Sequence, residues 1–145
     1  MALDVLSLGQ VRIHSGSATR EEAMKEAADI LESAGAVTSR YYDAMLQREE
    51  TVSTYMGMEL AIPHGTNETK AEILASALSI TRYDGGVDWG GEPVTFVVGI
   101  AGRGDEHLEI LSKIAILFSD DSEVQRLKAA ESPEELFEIV SAAGV

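Results

Sequence analysis

The chain is 145 residues long, 45% hydrophobic and 25% charged, which fits one domain with a sizeable core. Its 25 acidic against 11 basic residues leave a formal net charge of −14, a field that repels nucleic acid and anionic membrane surfaces and draws in basic partners. It has no cysteine, which excludes disulfide frameworks, thiolate metal sites and cysteine nucleophiles, and suits a reducing compartment. The opening stretch "MALDVLSLGQVRIHSGSATR" lacks the pattern of an export signal, and no apolar run approaches the ~18 residues that span a bilayer. A cytoplasmic protein without membrane insertion is the expectation.

In chain order, the first predicted helix covers residues 19–34. Ala23, Ala27, Ile30 and Leu31 recur at helical spacing, Thr19 and Glu22 form a capping box, and Gly35 supplies the stop. A short second helix is predicted over residues 40–48, with Tyr41, Tyr42, Met45 and Leu46 close together and Arg48 at its end. Four segments then read as strands: "TVSTYM", "MELAIP", "EILASALSITRY" and "EPVTFVVGIA". Turns are predicted between them at Asn67, Asp84-Gly85-Gly86 and Gly90-Gly91.

The last third returns to helix. Residues 106–118 place Leu108, Leu111, Ile114, Ala115 and Phe118 on one face behind an Asp105 cap, and residues 120–130 form a shorter helix. The final helix starts at Ser132-Pro133, with Glu135 completing a capping box, and runs to about Ala142. Helices on either side of a run of strands predict a single-domain α/β three-layer sandwich over residues 1–145: a mixed sheet with helices on both faces.

Within "MELAIPHGTNETK", His64 sits between Pro63, which fixes its own φ and biases Ile62 towards extended geometry, and Gly65, which lets another group approach the backbone. A neutral imidazole there can be a base, a metal ligand or a nucleophile, and the same frame also suits a plain surface turn. His107, in "GRGDEHLEI", falls in the first turn of a predicted helix, where backbone N–H groups and the helix dipole favour an anion. A phosphate between the two histidines would be well placed. The spacing "HLEIL" is not the His-Glu-x-x-His zinc motif, and neither a serine-hydrolase elbow nor a nucleotide loop occurs, so no metal and no cofactor is implied. His14 reads as a surface-loop residue, and Arg103-Gly104-Asp105 as a turn before a helix.

The runs "AMLQREETVSTYMGMELAIPHGTNETK" and "VVGIAGRGDEHLEIL" resemble the IIA domain of the mannitol/fructose type from the bacterial phosphoenolpyruvate-dependent sugar phosphotransferase system, across essentially the whole chain. The resemblance implies that His64 accepts a phosphoryl group from HPr on its tele nitrogen and passes it to a cysteine of a IIB domain on another chain. It implies that His107 and Arg48 stabilise that group, with Gly65 and the Thr66 hydroxyl as further phosphate contacts. A guanidinium fork suits phosphoryl oxygens, although Arg48 could instead end its helix and pair with Glu49 or Glu50. Met56, Met58, Leu60 and Ile62 are candidates for an apolar docking patch. The mannitol branch fits "TYMGMELAIPHGT" and "NETK" better than the fructose branch, and a regulatory, nitrogen-type IIA is the alternative. The glycine-rich, acidic run Gly102-Arg103-Gly104-Asp105 departs from the mannitol pattern.

Overall fold

The computed structural model describes residues 5–145, and every side chain within them except those of residues 67–69. β1 (Val11–His14), β2 (Tyr55–Gly57), β3 (Leu60–Ala61), β4 (Ala77–Trp89) and β5 (Glu92–Ala101) form one sheet in the order β1-β4-β5-β3-β2. β4 and β5 are an antiparallel hairpin, β1 runs parallel to β4, β3 runs parallel to β5, and β2 turns back antiparallel to β3. α1 (Arg20–Ser33) and α2 (Tyr41–Thr51) cover one face, while α3 (Glu106–Phe118), α4 (Asp121–Ala129) and α5 (Pro133–Ala142) cover the other. The α/β sandwich with helices on both faces is therefore the observed architecture.

Strand periodicity divides the core. Ala77, Tyr83, Val97 and Ala101 meet α1 and α2, while Leu78, Ile80, Phe96, Val98 and Ile100 meet α3, α4 and α5. Phe96 and Phe118 touch edge-on with ring centroids 5.3 Å apart, and both are fully buried. Burial of a large apolar side chain contributes about 1.5–3 kcal/mol, so two such faces stabilise the sheet far more than helix propensity does. Local signals still decide where the helices start. Thr19 Oγ1 accepts from the Glu22 N–H while the Glu22 carboxylate accepts from the Thr19 N–H, and Asp120 and Ser132 cap α4 and α5. Glu135 does not close the second box: its carboxylate accepts from the N–H of Glu131, one residue before the cap.

Several expectations change. β1 has no predicted counterpart, and His14 is not in a surface loop: it ends β1, with Nε2 2.7 Å from Glu26 and its ring 5.3 Å from Tyr83. Asp84-Gly85-Gly86 is not a turn. β4 continues through it to Trp89 with a shift in register, and Gly85 is there because a Cβ would lie 2.6 Å from the Gly16 backbone. The hairpin turns at Gly90-Gly91, where φ is 64° and 98° and the Asp88 carboxylate accepts the Gly91 N–H. "TVSTYM" is largely the end of α2 and a connector, since α2 runs three residues past Arg48.

The buried face of α3 is Ile110, Ile114, Leu117 and Phe118, whereas Leu108 is 66% exposed and Ala115 is also exposed. Asp105 takes the cap position but has helical dihedrals and makes no side-chain cap bond. Among the described residues no helix is long and apolar enough to cross a membrane. The reading of the N-terminus rests partly on residues 1–4, outside the described residues.

Candidate active site

β3 and β5 run parallel and both end beside the same cleft, the place where an open α/β sheet exposes strand ends to a ligand. β3 leads into Ile62-Pro63-His64-Gly65, and β5 leads through Gly102 into α3 and His107. Four hydrogen bonds hold the first of these connections. The Ile62 N–H donates to the Thr54 carbonyl (3.0 Å), and the Ile100 N–H donates to the Pro63 carbonyl (3.0 Å). Tyr41 Oη accepts from the Gly65 N–H (2.9 Å) and donates to the Ile100 carbonyl (2.7 Å). Burial pushes the Tyr41 hydroxyl up to about 12, so it stays protonated and keeps both bonds at neutral pH.

A fifth hydrogen bond acts on the imidazole itself. His64 Nδ1 lies 2.7 Å from the Ile62 carbonyl, and because a carbonyl only accepts, the proton is on Nδ1 and the neutral ring keeps its lone pair on Nε2. Burial depresses the His64 pKa below its ordinary 6.5; the Ile62 bond and the charge of Glu49 partly oppose this, and the charges of His107 and Arg48 add to it. His107 is likewise depressed, first by burial and then by the charge of Lys70. Both rings are therefore neutral at physiological pH. Their centroids are 5.4 Å apart, tilted by 55°.

The cleft encloses about 570 Å³ and is walled by Tyr41, Arg48, Thr51, His64, Gly65, Thr66, Lys70, Ile73, Gly102, Gly104, His107 and Leu108. Among the described residues no carboxylate is on this wall, although the chain carries 25 acidic residues. Arg48 is not paired with Glu49 or Glu50 among the described residues. One of its nitrogens donates to the Val52 carbonyl (2.7 Å), and Glu49 instead accepts from Thr54 and from Trp89 Nε1. Glu106 is likewise drawn off, accepting from Ser76 Oγ (2.7 Å). With the Glu49 and Glu106 carboxylates held by hydrogen bonds away from the wall, the imidazole of His64 shares the cleft with Arg48 and Lys70.

All five residues predicted for the site, His64, His107, Arg48, Gly65 and Thr66, are brought together here. The Gly65 N–H is occupied by Tyr41 rather than open to a ligand, so its part in the structure is to anchor the loop. Of the predicted docking residues, Met56 and Met58 are exposed, but Leu60 and Ile62 are buried core. Sequence reasoning missed Lys70, Tyr41 and Gly102. A Cβ on Gly102 would sit 2.5 Å from His107 Cα, so only glycine lets α3 start this close to the end of β5. Among the described residues no group of three His, Asp or Glu side chains is gathered as a metal site.

The family model of the phosphoenolpyruvate-dependent sugar phosphotransferase system, EIIA 2, matches residues 4–143. The chain belongs to this family. This EIIA 2 domain is 49% identical over 121 residues to the mannitol-specific phosphotransferase enzyme IIA component of Staphylococcus aureus, covering 83% of this chain and 84% of that protein. It is 45% identical over 136 residues to the mannitol-specific IIA component of Halalkalibacterium halodurans, covering 94% of each. Its fold matches enzyme IIA of the mannitol system from Escherichia coli, solved in complex with phosphorylated enzyme IIB, with a TM-score of 0.86 at 32% identity over 94% of this chain and 97% of that one. The EIIA 2 domain is accordingly a phosphotransferase component with an α/β fold shared by mannitol IIA proteins.

Proposed function

We propose that His64 takes a phosphoryl group on Nε2 from phosphorylated HPr and passes it to a cysteine thiolate of an enzyme IIB component, in the uptake of mannitol or a related polyol. The observation that carries this reading is the cleft wall: a neutral histidine with its lone pair on Nε2 beside Arg48, Lys70 and His107, with no carboxylate among the described residues, in a chain of net charge −14. The two relatives named as mannitol-specific support the transport branch. No cysteine occurs in these 145 residues, so the acceptor thiol lies outside them.

In the first transfer the donor's P–N bond breaks with its electron pair returning to the donor ring, and the Nε2 lone pair of His64 forms the new bond to phosphorus. No proton moves at Nε2. The Nδ1–H stays on the Ile62 carbonyl, which stabilises the positive charge that the phosphorylated ring acquires. The equatorial oxygens, which carry most of the transition-state charge, meet the Arg48 fork, a ring nitrogen of His107, the Thr66 hydroxyl and the uncapped first turn of α3. In the second transfer the Nε2–P bond breaks with its pair returning to His64, and the thiolate sulfur bonds to phosphorus.

Phosphorylated protein mixed with a mannitol-type IIB should lose its label to that IIB within the mixing time of a rapid-quench experiment. The alternative, a nitrogen-type regulatory IIA, is what failure to pass the label to any sugar IIB would support.

The depressed pKa also fixes a pH dependence. A nucleophilic imidazole must be unprotonated, so phosphoryl uptake should be level above the ordinary histidine value of 6.5 and fall only as pH drops through the lower folded-state value. In an NMR titration the His64 ring should show a midpoint below 6.5, and Arg48→Met should move it upward by removing a neighbouring charge. Stability follows the same sign. Between the folded value and 6.5 the unfolded chain binds more protons, so stability is full above 6.5 and declines on acidification through that window. A midpoint above 6.5 contradicts the buried, neutral ring.

A further inference from the structure

We infer, on the basis of the phosphocarrier reading above, that Lys70 is a further catalytic residue whose ammonium contacts the oxygens of the phosphoryl group on His64. Lys70 belongs to the 3-10 segment Asn67–Glu72, six residues after His64 and on the same connection, and it lines the cleft together with Arg48, His64 and His107. Arg48 comes from α2 and Lys70 from the loop, so the two cations reach the cleft from different elements.

The backbone around Lys70 is held. Its carbonyl accepts from the Ile73 N–H (3.1 Å), and two residues on, Glu72 accepts from the Thr38 N–H through its carbonyl (2.9 Å) and from Thr38 Oγ1 through its carboxylate (2.6 Å). The Leu74 N–H then donates to the Ala36 carbonyl (2.7 Å). A segment tied to the α1–α2 connection in this way keeps an exposed lysine beside the cleft rather than leaving it free to roam. Its ammonium is also close enough to His107 for its charge, after burial, to lower that ring's pKa.

The chemistry assigns the two cations different work. A guanidinium fixed at one nitrogen by Val52 presents a rigid fork, whereas an ammonium on a four-carbon stem can follow the phosphorus as it moves from donor to Nε2 and from Nε2 to sulfur. Two cations match the two negative charges of the phosphoryl group. Burial first and the field of Lys70 second lower the His107 pKa, so His107 meets the oxygens as a neutral hydrogen-bond donor, and the charge there comes from Arg48 and Lys70. No bond to Lys70 forms or breaks, and it transfers no proton.

The test uses the full chain with phosphoenolpyruvate, enzyme I and HPr, in wild type, Lys70→Met, Lys70→Arg and His64→Ala. Single-turnover uptake at saturating phosphorylated HPr should fall roughly 10- to 100-fold in Lys70→Met, somewhat less than the loss of a buried transition-state donor costs, and Lys70→Arg should recover most of it. The His107 pKa, followed by NMR in the unphosphorylated protein, should rise in Lys70→Met and stay low in Lys70→Arg. An unchanged single-turnover rate in Lys70→Met, or a loss confined to the apparent KM for HPr, overturns the inference while leaving His64 as acceptor. Absence of label on wild type overturns the phosphocarrier reading itself, and the inference with it. Lys70 is exposed, so its variants should fold, which a heteronuclear NMR spectrum of each confirms before kinetics.

Discussion

His64→Ala should take up no detectable phosphoryl group from phosphoenolpyruvate, enzyme I and HPr, a loss on the order of 10⁴-fold or more, because the nucleophile itself is gone. His107 should not substitute for it. Its ring is placed by the first turn of α3 and, among the described residues, lacks the carbonyl bond that fixes the His64 tautomer. The fold should survive, since His64 is half-buried at a strand end and its deletion leaves only the Ile62 carbonyl to find water. Radiolabel or intact-mass measurement of the phosphorylated product checks this. Label at wild-type stoichiometry on His64→Ala refutes the assignment.

Gly102→Ala should damage both stability and transfer. The added methyl would lie 2.5 Å from His107 Cα and 2.7 Å from its Cβ, distances at which backbone, not a yielding side-chain tip, has to move. Overpacking of this kind costs about 1–3 kcal/mol. In a chain of this size each kcal/mol lowers Tm by about 2–4 °C, so thermal unfolding should shift down measurably. The larger effect should be on chemistry. A displacement near 1 Å at the start of α3 carries His107 away from His64, and misplacement on that scale costs about 10²-fold in rate. Gly35→Ala, away from the cleft wall, separates the two effects, because its φ of 76° makes alanine strained but nothing lies within 4 Å of the new methyl. That variant should lose stability with little loss of single-turnover rate. Equal rates for Gly102→Ala and wild type would show that the close approach does not set the His107 position.

What was legible in the sequence is what local chemistry decides. The Thr19/Glu22 box, the Ser132-Pro133 start and the alternating run of β5 are short-range signals, and each stands in the structure where the residues put it. The Pro63-His64-Gly65 frame was legible as a stiff strand end followed by an open backbone, and the structure adds the tautomer through the Ile62 carbonyl. β1 was not legible: four residues, two of them Arg12 and His14, form a strand only because β4 offers a parallel edge whose paired residues, Val11 with Ile80 through His14 with Tyr83, are 69 positions further along. Gly85-Gly86 reads as a turn locally, and only contact with the Gly16 backbone shows why the glycines continue a strand.

The same limit applies in the site. The apolar face of α3 was misjudged at Leu108 because that residue lines the cleft instead of the core. Tyr41 read as one more apolar helix residue, but its hydroxyl ties the ends of two strands through Gly65 and Ile100. Lys70 stood in the run "NETK" only as a mark of the mannitol branch, with no role in the site. It becomes visible only when a 3-10 turn folds it back towards the histidine six residues before it.

The central claim is that Nε2 of His64 is the phosphoryl acceptor, and long-range ¹H–¹⁵N NMR of the phosphorylated, ¹⁵N-labelled protein tests it most directly. The account predicts a phosphorus-shifted resonance at Nε2 of His64, with a protonated Nδ1 still bonded to the Ile62 carbonyl. Phosphorus on Nδ1 of His64, or on His107 or His14, would contradict it.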